Sequence, residues 1–538
     1  MATIFKNGRI LAGAEDEWDA NAHLCLIVND DLIQYVGPND HQVLSGTGEK
    51  STHTVDLSGR MVVPGFIDGH MHLLLFGSAL QKIDLAECNN IDDIKRTIRA
   101  AAQARPHAPR ILCRGWMHSM TNGLALASML DDIDGRPIFI DSKDLHSTWC
   151  NSAALAELSV QNMPNPPGGE IHRDESGRAT GLLSEAATVT IVWPYLAKVA
   201  PMEDKLNSIR QAIKTYHAAG YTGMIDMAMD DNAWEALKEL RSREELKIRL
   251  AAHWIIIPSK TDEENIAQVD RAIAVHKEFN LATSPDFRIA GIKVICDGVV
   301  DACTAALSKP YSSNGGLCDP LWDPDMLKRV VQKADLAGLQ CALHAIGDAA
   351  IKLAIDTLES VGTPGRRHRI EHLEVTSPGD AQRLSDLGIT ASVQAVHADP
   401  TILRAWPNLL GRERCDRAFA YREFLDHGAP LALGTDAPTA PHMPLANLYV
   451  ATTRKSAKKP SLTDTVNERF VLPLASAVSA ATAGSAYSCF AETQTGSLEA
   501  GKKADFAVLD IKWKPEKLLE AVVVETWFGG KRVFERIT

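Results

Sequence analysis

The chain has 538 residues, more than one compact core of ordinary size holds, so two domains or a large barrel with an appended unit is expected. Hydrophobic residues make up 45% and charged residues 23%, the proportions of a soluble globular protein, and a formal net charge of −12 excludes a general attraction for nucleic acid or an anionic membrane. The ten cysteines are scattered without a CxxC pair, which favours a reducing, cytoplasmic setting over a disulfide scaffold, and the apolar runs are far short of a membrane span.

In chain order, residues 1–62 read as short strands divided by turns: TIFKNGRIL, HLCLIVND, LIQYVG and HTVDLSGRMVV. The first of them ends in an Asn-Gly turn, so the N-terminus reads as a strand and not as a secretory peptide. Residues 493–538 carry the same pattern in ADFAVLDIK, AVVVETWFGG and KRVFERI. Neither end can bury a core alone, so the two are expected to pair into one composite β-sandwich. Between them, over 63–492, strand-like runs alternate with helical ones. EDKLNSIRQAIKTYHAAG, DPDMLKRVVQKADLAG and DAAIKLAIDTLESVG are helical patterns, each closed by the Gly expected at a C-terminal stop. Such alternation predicts an α/β protein with a parallel sheet, and reactive residue types at the strand C-terminal ends favour a closed TIM-type (β/α)8 barrel. More than eight strands are predicted. The surplus falls between about 84 and 200, so an insertion after the first barrel strand is expected.

The reactive residues follow the strands. GFIDGHMH places His70 and His72 on one face of a buried strand, where two imidazoles need a common partner, and a metal ion suits them. FRIAGIKVICDG adds Lys293 in an apolar strand, LQCALHAIGD adds His344, HRIEHLEV adds His372, and PLALGTDAP adds Asp436. Each has a purely structural alternative. Lys293 could pair with Asp297 or reach out of the barrel, and Asp348 could satisfy His344. His372 could belong to a salt-bridged network with Arg369 and Glu371, and Asp436 could be a turn residue before Ala-Pro. Taken together, four imidazoles and a carboxylate suit zinc or a similar divalent ion. Lys293 fits only when deprotonated, or when carboxylated by CO2 so that its carbamate bridges two ions. Such a pair would activate a hydroxide for attack on a carbonyl, with Asp436 moving the proton.

VVPGFIDGHMH, KVICDG, HAIGD, RIEH and GTDAP, in that order, closely resemble the amidohydrolase superfamily. RGWMH, DLHSTWCNSAAL, PPGGEIHRDESGRATGLLSE, CDGVVDACTAAL and SVQAVHAD are similar to the branch that includes N-substituted formamide deformylases, and TQTGSLEAGKKADFAVLD to its C-terminal tail. The resemblance implies a TIM-type barrel with a composite β-sandwich and hydrolysis of an amide-like C–N bond in a small molecule. It also implies one or two divalent ions, zinc first, on His70, His72, Lys293, His344, His372 and Asp436, with Asp436 as proton shuttle. Trp116, His146 and His397 lie in its signatures as candidate substrate-binding residues. The alternatives are a metal-dependent decarboxylase of the same superfamily, or a non-catalytic binding protein on this frame, which a complete ligand set argues against. A homodimer is left open.

Overall fold

The computed structural model describes residues 2–11, 24–38, 53–143, 145, 147–166 and 169–537. Strand β1 (Phe66–Met71) is buried at every position, as a strand covered on both faces must be. It is followed by β2 (Tyr221–Met229), β3 (Arg249–Ile256), β4 (Phe287–Ile295), β5 (Gln340–Ala345), β6 (Arg369–His372), β7 (Thr390–Val393) and β8 (Leu431–Leu433), each parallel to the one before. The sheet nearly closes. Just beyond β8 the N–H groups of Thr435 and Asp436 donate to the His70 carbonyl at 3.2 and 2.7 Å, and His72 N–H donates to Ala437 at 3.0 Å. This approach requires Gly434, where a Cβ would lie 2.4 Å from the His70 nitrogen. The seam between β1 and the segment after β8 is therefore held by hydrogen bonds beside the first two histidines.

The expected helices form between strands. Pro324–Leu336 starts at Asp323, whose carboxylate accepts from the N–H groups of Asp325 and Met326, and the chain turns away at Gly338 with φ +90°. Asp348–Val361 ends differently. Gly362 keeps an ordinary φ of −74° and donates to the Leu358 carbonyl, so the glycine is not there for a left-handed turn. A Cβ at that position would sit 2.6 Å from the same carbonyl, and close approach is the physical reason for glycine.

Strands from both ends of the chain share one eight-stranded sheet, in which Met61–Pro64 pairs antiparallel with Phe506–Asp510. Phe5, Phe506 and Trp527 pack together with centroids 5.0–5.7 Å apart, over a core that includes Leu26, Val62 and Leu498. The strands surplus to the barrel lie in a second compact unit, Leu74–Ala212 with Asn232–Glu239. Its own six-stranded sheet runs in the order Gly169–Arg173, Ala179–Glu185, Ser147–Cys150, Ile138–Ser142, Ile111–Trp116, Ile83–Asp84. A core of Ile94, Ile98, Cys113, Leu130, Ile140 and Trp149 lies under it. Among the described residues no helix is long and apolar enough to cross a membrane.

Candidate metal centre

The site is built outward from His70, which is 1% exposed. Its Nδ1 lies 2.7 Å from Glu371 Oε2, and Glu371 Oε1 in turn accepts from Arg369 Nε at 2.8 Å. Arg369 spends its remaining donors on the Gly69 carbonyl and the hydroxyls of Ser392 and Ser488, and both members of the ion pair are fully buried. Burial opposes the charge on Glu371, but Arg369 and His70 outweigh it and hold the carboxyl well below its usual range. A carboxylate there must accept the Nδ1 proton, which leaves the Nε2 lone pair of His70 aimed at the site.

Asp436 is the hub. Its Oδ1 lies 3.0 Å from His72 Nε2 and 3.5 Å from His70 Nε2, while its Oδ2 faces His397 Nε2 at 3.7 Å. His70, His372 and Asp436 each offer a ligand atom within 4.8 Å of the others. The His344 and His372 rings stand 4.3 Å apart. Strict strand alternation would point His372 away from the face that Glu371 occupies. The backbone instead turns left-handed at His372 (φ +77°) and Leu373 (φ +53°), as it does at Asp436 (φ +60°). Such non-glycine conformations are held only where the surroundings over-determine them, and they cluster at functional sites.

Lys293 is 2% exposed, and burial lowers its pKa to about 8. Burial first, and the Lys293 charge second, lower His70 to about 4 and His344 to about 3, so these imidazoles are neutral with free lone pairs. Among the described residues, Lys293 Nζ and His372 Nδ1 have no hydrogen-bond partner. Orphaned buried donors of this kind are costly, and a divalent ion is the partner that neutral imidazoles and a carboxylate share. The donor set fits a metal.

The structural alternatives resolve individually. Asp297 accepts from the N–H groups of Ile346, Gly347 and Ala306, so it does not serve as the partner of Lys293. Asp348 binds Ser308 instead of His344. The Arg369–Glu371 network exists, but it orients His70 and not His372. Asp436 does make a turn, accepting from Thr439 N–H at its carbonyl, while its side chain holds the centre.

His397 reaches the site. Its Nδ1 lies 3.1 Å from Glu374 Oε1, and its ring stacks on His372 with centroids 5.9 Å apart. Burial works against its charge, yet Glu374 outweighs burial and raises its pKa. Trp116 is fully buried in the core of the second unit, its ring against His118 and Trp149. His146 lies outside the described residues. Three acidic residues are absent from the candidate set read from the sequence: Glu374 and Asp68, which it does not single out, and Glu371, which it offers only as a partner of His372. Asp68 Oδ1 accepts from the N–H groups of His70 and Thr435, and its Oδ2 accepts from the hydroxyls of Tyr216 and Thr435, so it fastens β1 to the segment after β8. The signal for all three is a carboxylate inside a buried apolar strand or at its end, one or two residues from a candidate ligand.

A nearly closed parallel barrel gathers imidazoles, a lysine and a carboxylate at one end, a donor set able to hold a metal ion. The chain belongs to the amidohydrolase family, whose model matches residues 53–534. It is 31% identical over 518 residues to the protein LONG AFTER FAR-RED 3 of Arabidopsis thaliana, covering 91% of this chain and 85% of that one. It is 25% identical over 546 residues to an N-substituted formamide deformylase of Arthrobacter pascens, covering 95% of each. Among solved structures, an uncharacterized metal-dependent hydrolase from Pyrococcus horikoshii OT3 superposes with a TM-score of 0.78 at 25% identity, over 96% of this chain and 99% of that one.

Proposed function

We propose that the protein is a metal-dependent hydrolase of an amide-like C–N bond in a small molecule, an N-substituted formamide or a related N-acyl amine. The observation that carries this reading is the division of Asp436, with one oxygen on the ligand histidines and the other on the His397–Glu374 pair. His70, His72, His344, His372, Asp436 and, once carboxylated, Lys293 would hold zinc or a similar ion, which supplies carbonyl polarisation and a lowered water pKa. The lowered pKa of Lys293 favours the neutral amine that carboxylation by CO2 requires. Asp436 Oδ2 takes up a proton from the attacking water and returns it to the leaving nitrogen. His397, whose pKa Glu374 raises against burial, faces that oxygen with its Nε2 at 3.7 Å. The terminal strands around Phe5, Phe506 and Trp527 are read as the composite β-sandwich that accompanies such a barrel.

The test is amine release from a panel of N-substituted formamides and N-acyl amines by the metal-loaded protein. Turnover of at least one class supports the reading, and no amine from any of them opposes it. A pH profile then tests the pair. Glu374→Gln removes the carboxylate that contributes most to raising the His397 pKa, so that burial is opposed only by the smaller contribution of Asp436 and the pKa falls. The protonated imidazole is then lost at lower pH, so the alkaline limb of kcat is expected to move towards acid. An unmoved limb contradicts the role given to His397.

A further inference from the structure

The segment that follows Lys293 carries chemistry the hydrolytic reading does not use. It leaves β4 at Cys296 and returns at Trp322. Its base is tied by Leu321 N–H to the Cys296 carbonyl at 2.8 Å and by Trp322 Nε1 to the Ile295 carbonyl at 3.0 Å. Within this tied lobe stand two half-exposed cysteines, Cys303 and Cys318, both free thiols. The Cys318 sulfur lies 3.2 Å from the Cys303 carbonyl oxygen, and the Cys303 sulfur lies 3.9 Å from Ser313 Oγ. The contact brings the Cys318 sulfur against the Cys303 backbone, and a disulfide requires the Cys303 side chain to turn from Ser313 towards it. Cys303 also sits at φ +56°, a left-handed conformation that a non-glycine residue holds only where its surroundings impose it.

We propose that Cys303 and Cys318 are a reversible thiol pair that a peroxide oxidises to an intramolecular disulfide. In the first step a Cys303 sulfur electron pair attacks one peroxide oxygen. The O–O bond breaks, the other oxygen leaves as water with the thiol proton, and Cys303 becomes a sulfenic acid. In the second step the Cys318 sulfur attacks the Cys303 sulfur, the S–O bond breaks, and the hydroxyl leaves as water with the Cys318 proton. Two electrons from the pair have then reduced one peroxide to two waters. A dithiol reverses the reaction by exchange.

The lobe also contains Asp297, which accepts from the Ile346 and Gly347 N–H groups behind His344 and whose Oδ1 lies 3.5 Å from His344 Nε2. The disulfide would therefore close a loop whose base supports one wall of the metal centre. The experiment treats the full chain with hydrogen peroxide, alkylates the remaining thiols, and maps peptides by mass spectrometry. In wild type the Cys303 and Cys318 peptides are expected to be joined, and dithiothreitol to separate them. In Cys318→Ser that joined peptide disappears and Cys303 is captured by a sulfenic-acid reagent. Both cysteines remaining alkylatable in peroxide-treated wild type overturns the proposal, as does Cys303 of the variant failing to react with the sulfenic-acid reagent.

Discussion

Asp436→Asn is expected to lower kcat by about 10²–10⁴-fold, the contribution typical of a positioned acid–base group. Asparagine keeps the shape and can still meet His72, which lies 3.0 Å from Oδ1, but it cannot take a proton on the oxygen that faces His397. Burial opposes the charge on Asp436, yet His70 and His72 outweigh it and hold the carboxyl well below the usual range. Its proton affinity is thus set by its neighbours, and no nearby group reproduces its position between them. Steady-state amine release measures the effect, and a variant within about tenfold of wild type contradicts the shuttle assignment.

The second large effect is on stability. Arg369→Ala is expected to cost about 3–5 kcal/mol, the range for removing one partner of a fully buried ion pair. Arg369 and Glu371 are both 0% exposed, so solvent screens neither, and the substitution strands the carboxylate as well as three acceptors on Gly69, Ser392 and Ser488. Replacing both partners, Arg369→Met with Glu371→Leu, leaves no unpaired charge and is expected to recover part of the loss. Activity should not return with it, because Glu371 also fixes the tautomer of His70. Urea unfolding of the two variants separates these outcomes. Equal destabilisation of the single and double variants contradicts the view that the stranded charge is the dominant cost.

How much of this was legible in the sequence follows from where each residue's reason lies. His70 and His72 could be read because strand periodicity alone puts both on one face, and Lys293 because an ammonium in an apolar strand demands a partner. The barrel was legible in its alternation of strands and helices, and so was the set of strands surplus to eight. His344, His372 and Asp436 were visible as residue types at strand ends, but the structural alternatives to each could be settled only by tertiary contacts. The position of His372 depends on two consecutive left-handed residues that strand alternation does not foresee. Glu371 reads in the sequence as a possible partner of its neighbours on β6 and does pair with Arg369, but its other contact, His70, lies some 300 residues earlier, across a barrel that must exist first. Glu374 meets His397 only because the chain end of β6 faces that of β7. Trp116 shows the opposite limit. A tryptophan in a strand has the same sequence appearance in a core as at a binding site, and the structure places it in a core.

Metal content of the purified protein by mass spectrometry, in wild type and in Lys293→Ala, tests the central claim most directly. Close to two divalent ions per chain are expected in wild type and a marked loss in the variant. One ion unaffected by the variant would contradict the bridging role of Lys293 and reopen decarboxylation. Absence of any ion from wild type, after purification in metal-containing buffer, would contradict the metal-dependent hydrolase itself.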